Sequence, residues 1–340
     1  MGAKVMDDHS VQSRTYDYLR LSLLAVLLVL SASVVLEWRE AKWCLQTSIS
    51  AYYYTPVQAV FVGGLVAVGV GMLVLYGRDA IEDAFLNLSG LFAPVVAFVP
   101  TRQANACSLP AITASGATIQ DANSAGVKPV VVTAQSAIDN NMSAFLAVVG
   151  VALVVLMVRS FRGSRKDPAP KLGEATQEKV PYLLSYIVAG VAWFVGAVAF
   201  WRQRQTFYEV AHGVSAVLLF LCIIVVVFEG ARRRGKRAVS GRAVSDQEWK
   251  KMPLHERLKA IIKDRYAWVG TSMIVATVGI VVYEKTVGWE HWILAVEASL
   301  LVLFAVFWAL QTWEHWSGRK TAEGDSGTEG SEAIPQDSRR

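Results

Sequence analysis

Histidine and cysteine are scarce in this chain, at five and three among 340 residues. No Cys-x-x-Cys pair and no clustered His/Cys pattern occurs, so zinc-finger and zinc-ribbon architectures are excluded, because they need four such ligands at short spacings. Charge is thin as well. Asp, Glu, Lys and Arg make up 18% of the chain, below the roughly 25% usual in soluble domains. No nucleic-acid-binding motif is present, so the net charge of +5 is better read as topology signals and lipid-headgroup contacts. There is no internal repeat of the kind that marks many transporters.

What the chain has instead is apolar sequence, blocked into long runs. Hydrophobic residues are 54% of the whole. A membrane helix needs about 20 mainly apolar residues, and eight segments qualify: 18–36, 57–76, 84–99, 143–158, 181–201, 207–228, 267–283 and 289–310. The first is followed by Glu37-Trp38-Arg39 rather than a small-residue cleavage site, so it reads as a retained anchor helix. The fold expected is an all-α transmembrane bundle of about eight spans. Lys and Arg are distributed unevenly between the two sides that these spans define: 26 of the 33 fall on one side. Such an excess marks the cytoplasmic face, so both ends of the chain are expected inside.

The organisation that follows is a cytoplasmic segment 1–17, a first half 18–158 with an external loop 101–142, and a basic linker 159–180. A second half 181–312 carries a cytoplasmic loop 238–266, and a tail 313–340 is expected to be disordered, being rich in Gly, Ser, Glu and Asp. Within the cytoplasmic loop, Ser245 and Glu248 have capping-box spacing. Leu254, Leu258, Ile261 and Ile262 then recur at helical spacing, with Arg257, Lys259, Lys263 and Arg265 on the polar side. That pattern suits a helix on an anionic inner leaflet, or one packed on the protein's own inner face.

The most legible stretch is 48–101. Tyr52, Tyr53 and Tyr54 suit a water–lipid boundary, and Pro56 suits the first turn of a helix. Gly63, Ala67 and Gly71 form a small-residue ridge of the kind that lets helices approach closely. Pro94 is expected to kink the following helix. Between the two runs, Asp79, Glu82 and Asp83 sit beside Arg78 and read as a solvated turn.

Two ionisable residues remain within spans, His212 and Glu297. At about 1.5 Å per residue they lie roughly 8 and 12 Å below the outer surface, a depth at which they could meet. Such groups are costly in lipid and face the bundle interior or a wet cavity. The expected arrangement is an outward polar pocket of His212, Ser215 and Glu297 roofed by Ser48, Ser50 and Tyr53, serving either as a packing device or as a functional site. Cys44 and Cys107 both fall on the external, oxidising side, where a disulfide between them would persist. Cys222 lies within a helix as a small apolar residue. No catalytic set, metal site or cofactor follows from these residues.

Several of these pieces carry a resemblance. SISAYYYTPV, FVGGL and NLSGLFAPVVAFVPT, with His212-Gly-Val-Ser215-Ala216 and Glu297 ahead of Phe304, Phe307 and Trp308, resemble a family of uncharacterised bacterial integral membrane proteins. The pieces cover about a third of the chain. The architecture is also loosely similar to DRAM/Sfk-type membrane proteins and to CREST-type membrane hydrolases, although the CREST group uses several metal-binding histidines and this chain has one in a span. The resemblance implies a multi-pass protein of a bacterial cytoplasmic membrane. The function expected is non-catalytic handling of lipid or a small amphiphile at the outer leaflet. The alternatives are a CREST-like hydrolase and a proton-coupled transporter using Glu297.

Overall fold

In the computed structural model, residues 8–101, 134–163, 175–240 and 245–329 are described. All regular structure among them is helical: α1 (Asp8–Glu40), α2 (Gln58–Val74), α3 (Ala80–Phe98), α4 (Ala134–Gly163), α5 (Ala175–Arg202), α6 (Arg204–Ser240), α7 (Asp246–Lys251), α8 (Leu254–Ile262), α9 (Arg265–Val287) and α10 (Trp292–Glu329), with a 3₁₀ turn at Ser50–Tyr54. Six of these helices are long and apolar enough to cross a membrane, and α2 and the Tyr186–Arg202 part of α5 are shorter apolar helices. Large apolar side chains such as Val151, Phe194 and Val275 stand more than half exposed. Surfaces this apolar are what lipid requires and water penalises.

The helices do not divide into two four-helix units. The main core draws Leu23 and Leu27 from α1, Phe61 and Met72 from α2, Ala93 from α3, Ile223 and Val226 from α6, Met273 from α9 and Phe304 from α10. The halves expected from sequence therefore share one interior. Helix α3 is its axis: 61% of its span is buried, against 11% for α4. α3 packs on α2, α4, α5 and α6, while α1 lies between α2 and α10. A second, smaller cluster joins Val99 after α3 to Met142 of α4, Phe200 of α5 and Phe207 of α6.

The small-residue ridge departs from expectation. Gly63 and Ala67 are exposed, and a Cβ on Gly63 would meet nothing within 4 Å. Gly71 receives Leu23 of α1, and the close helix–helix approach is made by Gly69, where a Cβ would sit 2.9 Å from the Gly90 carbonyl oxygen of α3. That carbonyl lies one turn before Pro94, which has no N–H to offer it. α3 nevertheless stays a single helix around its buried proline.

Helix ends follow local chemistry where the sequence supplies it. Asp79 caps α3 by accepting from the Ile81 and Glu82 amides, and Ser245 and Glu248 form the expected capping box on α7. α9 begins on an Asp264 cap and stops at Gly288, whose φ of 70° is easy only for glycine. α10 does not stop near 313, where the disordered tail was expected to begin, but remains helical to Glu329. No proline occurs between Pro253 and Pro335, and a nucleated helix gains one hydrogen bond for each residue it adds. The loop expected over 101–142 is shortened by α4, which starts at Ala134, and residues 102–133 and 164–174 lie outside the described residues.

α8 splits its apolar stripe. Ile261 packs against the main core, and the Gly235 backbone of α6 runs close to Ala260. Leu254, Leu258 and Ile262 face outward, as do Lys259 and Lys263. Of the two expected placements, packing on the protein itself is thus seen on one face, and the other face is left exposed. Arg265 belongs to α9 instead, where its guanidinium holds Glu314.

Candidate functional site: a buried His–Glu pair

The polar centre near the 3₁₀ turn is assembled from four separate segments. α10 brings Glu297, α6 brings His212, the segment leaving α3 brings Val99 to Thr101, and residues 47–54 close over them. The start of α10 is fixed to the last of these by the Leu294 amide, which donates to the Thr47 carbonyl at 3.0 Å. The Ile49 amide donates to Glu297 Oε2 at 2.6 Å. His212 Nδ1 lies 2.7 Å from the Val99 carbonyl oxygen. A carbonyl can only accept, so Nδ1 carries the proton, and in the neutral ring Nε2 presents a lone pair. That Nε2 is 3.8 Å from Glu297 Oε1 and has no hydrogen-bond partner. The His212 side chain is 6% exposed and that of Glu297 17%.

The expected meeting of His212 and Glu297 is therefore present, but the roof works differently. Ser48 and Ser50 are buried, yet their hydroxyls do not reach the carboxylate or the imidazole. They bond to each other at 3.1 Å and to Thr101 Oγ1 at 3.1 and 2.8 Å, and Ser48 also accepts from the Ala51 amide. Tyr54 donates to the Thr101 carbonyl. The serines thus strap the 47–54 segment to the end of α3, and the backbone amide between them serves the acid. Tyr53 is buried edge-on to Tyr54 at 5.4 Å; burial raises its phenol above the usual range, partly offset by Gln58. Ser215 points away from the pair into another groove, of about 290 Å³, among α3, α4, α5 and α6. Ile49, Val99 and Thr101 escaped the sequence reading. Thr101 had a usable signal, a hydroxyl at the level of Ser48 and Ser50. The other two act through their backbones, which leave no mark in sequence.

Two neighbouring cavities lie near the pair, the smaller of them lined by Glu297. One of about 50 Å³ lies directly below it, lined by Ser50, Glu297 and apolar side chains including Phe61, Met72 and Phe304. Another, of about 680 Å³, runs between α1 and α10 from Trp38 and Tyr52 at one end to Leu24 and Ala309 at the other. The two share Leu27, Leu30, Ile49 and Leu301 as a common wall. Among the described residues no group of three His, Cys, Asp or Glu side chains is gathered that could hold a metal ion. Cys44 is disulfide-bonded; Cys222 is buried and free, and Cys107 lies outside the described residues.

No protein-family model, curated protein or solved structure matches the chain.

The opposite end of the same helices holds a second polar centre, and here the expected solvated turn is overturned. Glu82 is 2% and Asp83 7% exposed. Glu82 is held by Arg233 of α6 and by the Arg78 amide at 2.8 Å, and it accepts from Gln311 of α10 at 3.1 Å. Gln311 in turn accepts from Arg20 of α1 at 2.7 Å. Arg20 lies over the Trp308 ring, 5.1 Å from its centre. Asp83 accepts from the Gly77 amide at 2.9 Å, and Glu229 is likewise buried and bound by Arg232. The turn is buried because α1, α6 and α10 converge on it with donors, which a charge run in sequence does not disclose.

Proposed function

We propose that this protein is an eight-span protein of a bacterial cytoplasmic membrane, both ends inside, that accommodates the chain of a lipid or small amphiphile in the groove between α1 and α10. The carrying observation is that groove. Its roughly 680 Å³ falls within the range of about 300–1,000 Å³ typical of ligand sites. From Leu24 to Trp38 it follows α1 for about 21 Å at 1.5 Å per residue, more than the roughly 15 Å depth of one hydrocarbon leaflet. Ala298, Ala305 and Ala309 line it from α10, so concavity comes from small side chains. Its rim residues Leu28, Val35, Val302 and Val306 are exposed, which leaves a lateral entry from lipid. The charge asymmetry of the loops supports the orientation, with the Trp38–Tyr52 end at the outer leaflet. On the inner side, the outward apolar face of α8 with Arg257, Lys259 and Lys263 fits anionic lipid headgroups.

A lipid carrying a diazirine on its acyl chain tests the groove. Labelling in nanodiscs is expected to concentrate on α1 and α10, and Ala305→Trp, which fills the groove, is expected to remove most of it. Labelling of Val302 no stronger than that of Val151 on the outer face of α4 would refute the reading. The topology has its own test. Cysteines at Lys285, whose side chain is 76% exposed, and at Lys250 are expected to react from outside and only after lysis, respectively. Equal reaction from outside would reverse or break the assignment.

A further inference from the structure

The α1–α10 groove lies beside an acceptor site, and the chemistry of that site selects a head group. Glu297 Oε2 is occupied by the Ile49 amide at 2.6 Å, while Oε1 faces His212 at 3.8 Å, beyond hydrogen-bond length. His212 has committed its Nδ1 proton to the Val99 carbonyl, and its buried Nε2 has no partner. With a neutral ring, two acceptors therefore face each other across a gap. Glu297 has no arginine or lysine in salt-bridge contact among the described residues; the basic group facing it is the His212 ring, which with Nδ1 as its protonated nitrogen offers Nε2 as an acceptor. A largely buried carboxylate without a cation is costly, and so is an acceptor left without a donor.

We infer that Glu297 Oε1 and His212 Nε2 together receive the protonated primary amine of a single-chain amphiphile whose tail lies in the groove between α1 and α10. The inference rests on the groove reading above and adds the head group to it. A primary ammonium brings a positive charge for the carboxylate and three N–H donors, enough to serve both acceptors at once. A hydroxyl brings one donor and no charge. A quaternary ammonium brings charge but no donor. A carboxylate adds a third acceptor to the two already there. Access is consistent with this order: the Glu297 side chain keeps 17% exposure, and Ile49, whose amide holds the acid, lies in the wall that both cavities share. The head at Glu297 is thereby adjacent to a tail beside Ala298 and Leu301, which line the groove one residue and one turn along the same helix.

The test uses the full-length protein in phosphatidylcholine nanodiscs, whose lipid has no primary amine, with empty nanodiscs subtracted. Saturable binding is measured for octylamine, octanol, octyltrimethylammonium and octanoate. Octylamine is expected to bind tightest, and Glu297→Gln to weaken it roughly 10- to 100-fold, the range for a hydrogen bond to a charged group. His212→Phe, which removes one acceptor, is expected to cost several-fold and to narrow the advantage of octylamine over octyltrimethylammonium. Octanol or octyltrimethylammonium binding as tightly as octylamine to the unaltered protein would overturn the inference, and that comparison needs no variant to fold. Undiminished octylamine binding in a folded Glu297→Gln protein would overturn it equally. The groove reading fails separately: Ala305→Trp would then leave the acyl-lipid labelling intact, whatever the amine series gives.

Discussion

Glu82→Ala is expected to be the most damaging single change at the α2–α3 turn end of the bundle, costing about 3–5 kcal/mol of stability. Glu82 is 2% exposed and is the point where α1, α3, α6 and α10 meet through Arg233, Gln311 and, beyond it, Arg20. Removing the acid leaves the Arg233 guanidinium, 17% exposed, with the longer contact to Asp79 at 3.3 Å as its remaining ion pair among the described residues, and it takes an acceptor from Gln311. Most of the expected loss is the cost of a charge left poorly paired rather than the worth of the pair itself. The measurement is thermal unfolding of the purified protein in one detergent, with the double variant Glu82→Ala/Arg233→Ala beside it. The double variant is expected to be more stable than the sum of the two single losses predicts, because neither charge is then stranded. Additive losses would mean that the pair is not the unit of stability.

Gly90→Val is expected to be the second large effect, through packing rather than charge. A Cβ at Gly90 would stand 2.7 Å from the Gly69 carbonyl oxygen and 2.7 Å from Leu73 Cγ. The leucine can turn aside, but the backbone oxygen of α2 cannot, so α2 and α3 must part along the most buried span of the protein. Overpacking of this kind costs about 1–3 kcal/mol or more, and van der Waals contact is the main force between helices in lipid. Gly63→Ala is the control. Open space surrounds that position, so the substitution is expected to be neutral or to stabilise by up to about 1 kcal/mol through helix propensity. The check is the thermal midpoint of each variant, and a Gly90→Val protein as stable as Gly63→Ala would show that α2 and α3 do not need their close approach.

The two substitutions also mark where sequence reading stopped. Gly63, Ala67 and Gly71 repeat every four residues and so display a face, but a face does not reveal its neighbour. The partner of α2 at its closest approach is set by Gly69 against Gly90, and nothing in the spacing of α2 points to residue 90. The acidic turn at Asp79–Asp83 looked wet because charges in a short connection usually are. Its burial depends on Arg233 and Gln311, more than 150 and 220 residues away.

The sequence by itself determined that the chain is helical and built for a membrane, because run length and hydropathy are local properties that lipid reads directly. It also determined that His212 and Glu297 are the ionisable groups to watch, because a charge inside an apolar run must find a partner somewhere. Only the tertiary structure decided which partners they found. Ile49 and Val99 act through an amide and a carbonyl that every residue possesses, so no side chain announces them. The groove between α1 and α10 exists because two helices more than 250 residues apart in the chain lie side by side with alanines on the facing surface. Concavity is a property of that pairing and of neither helix alone.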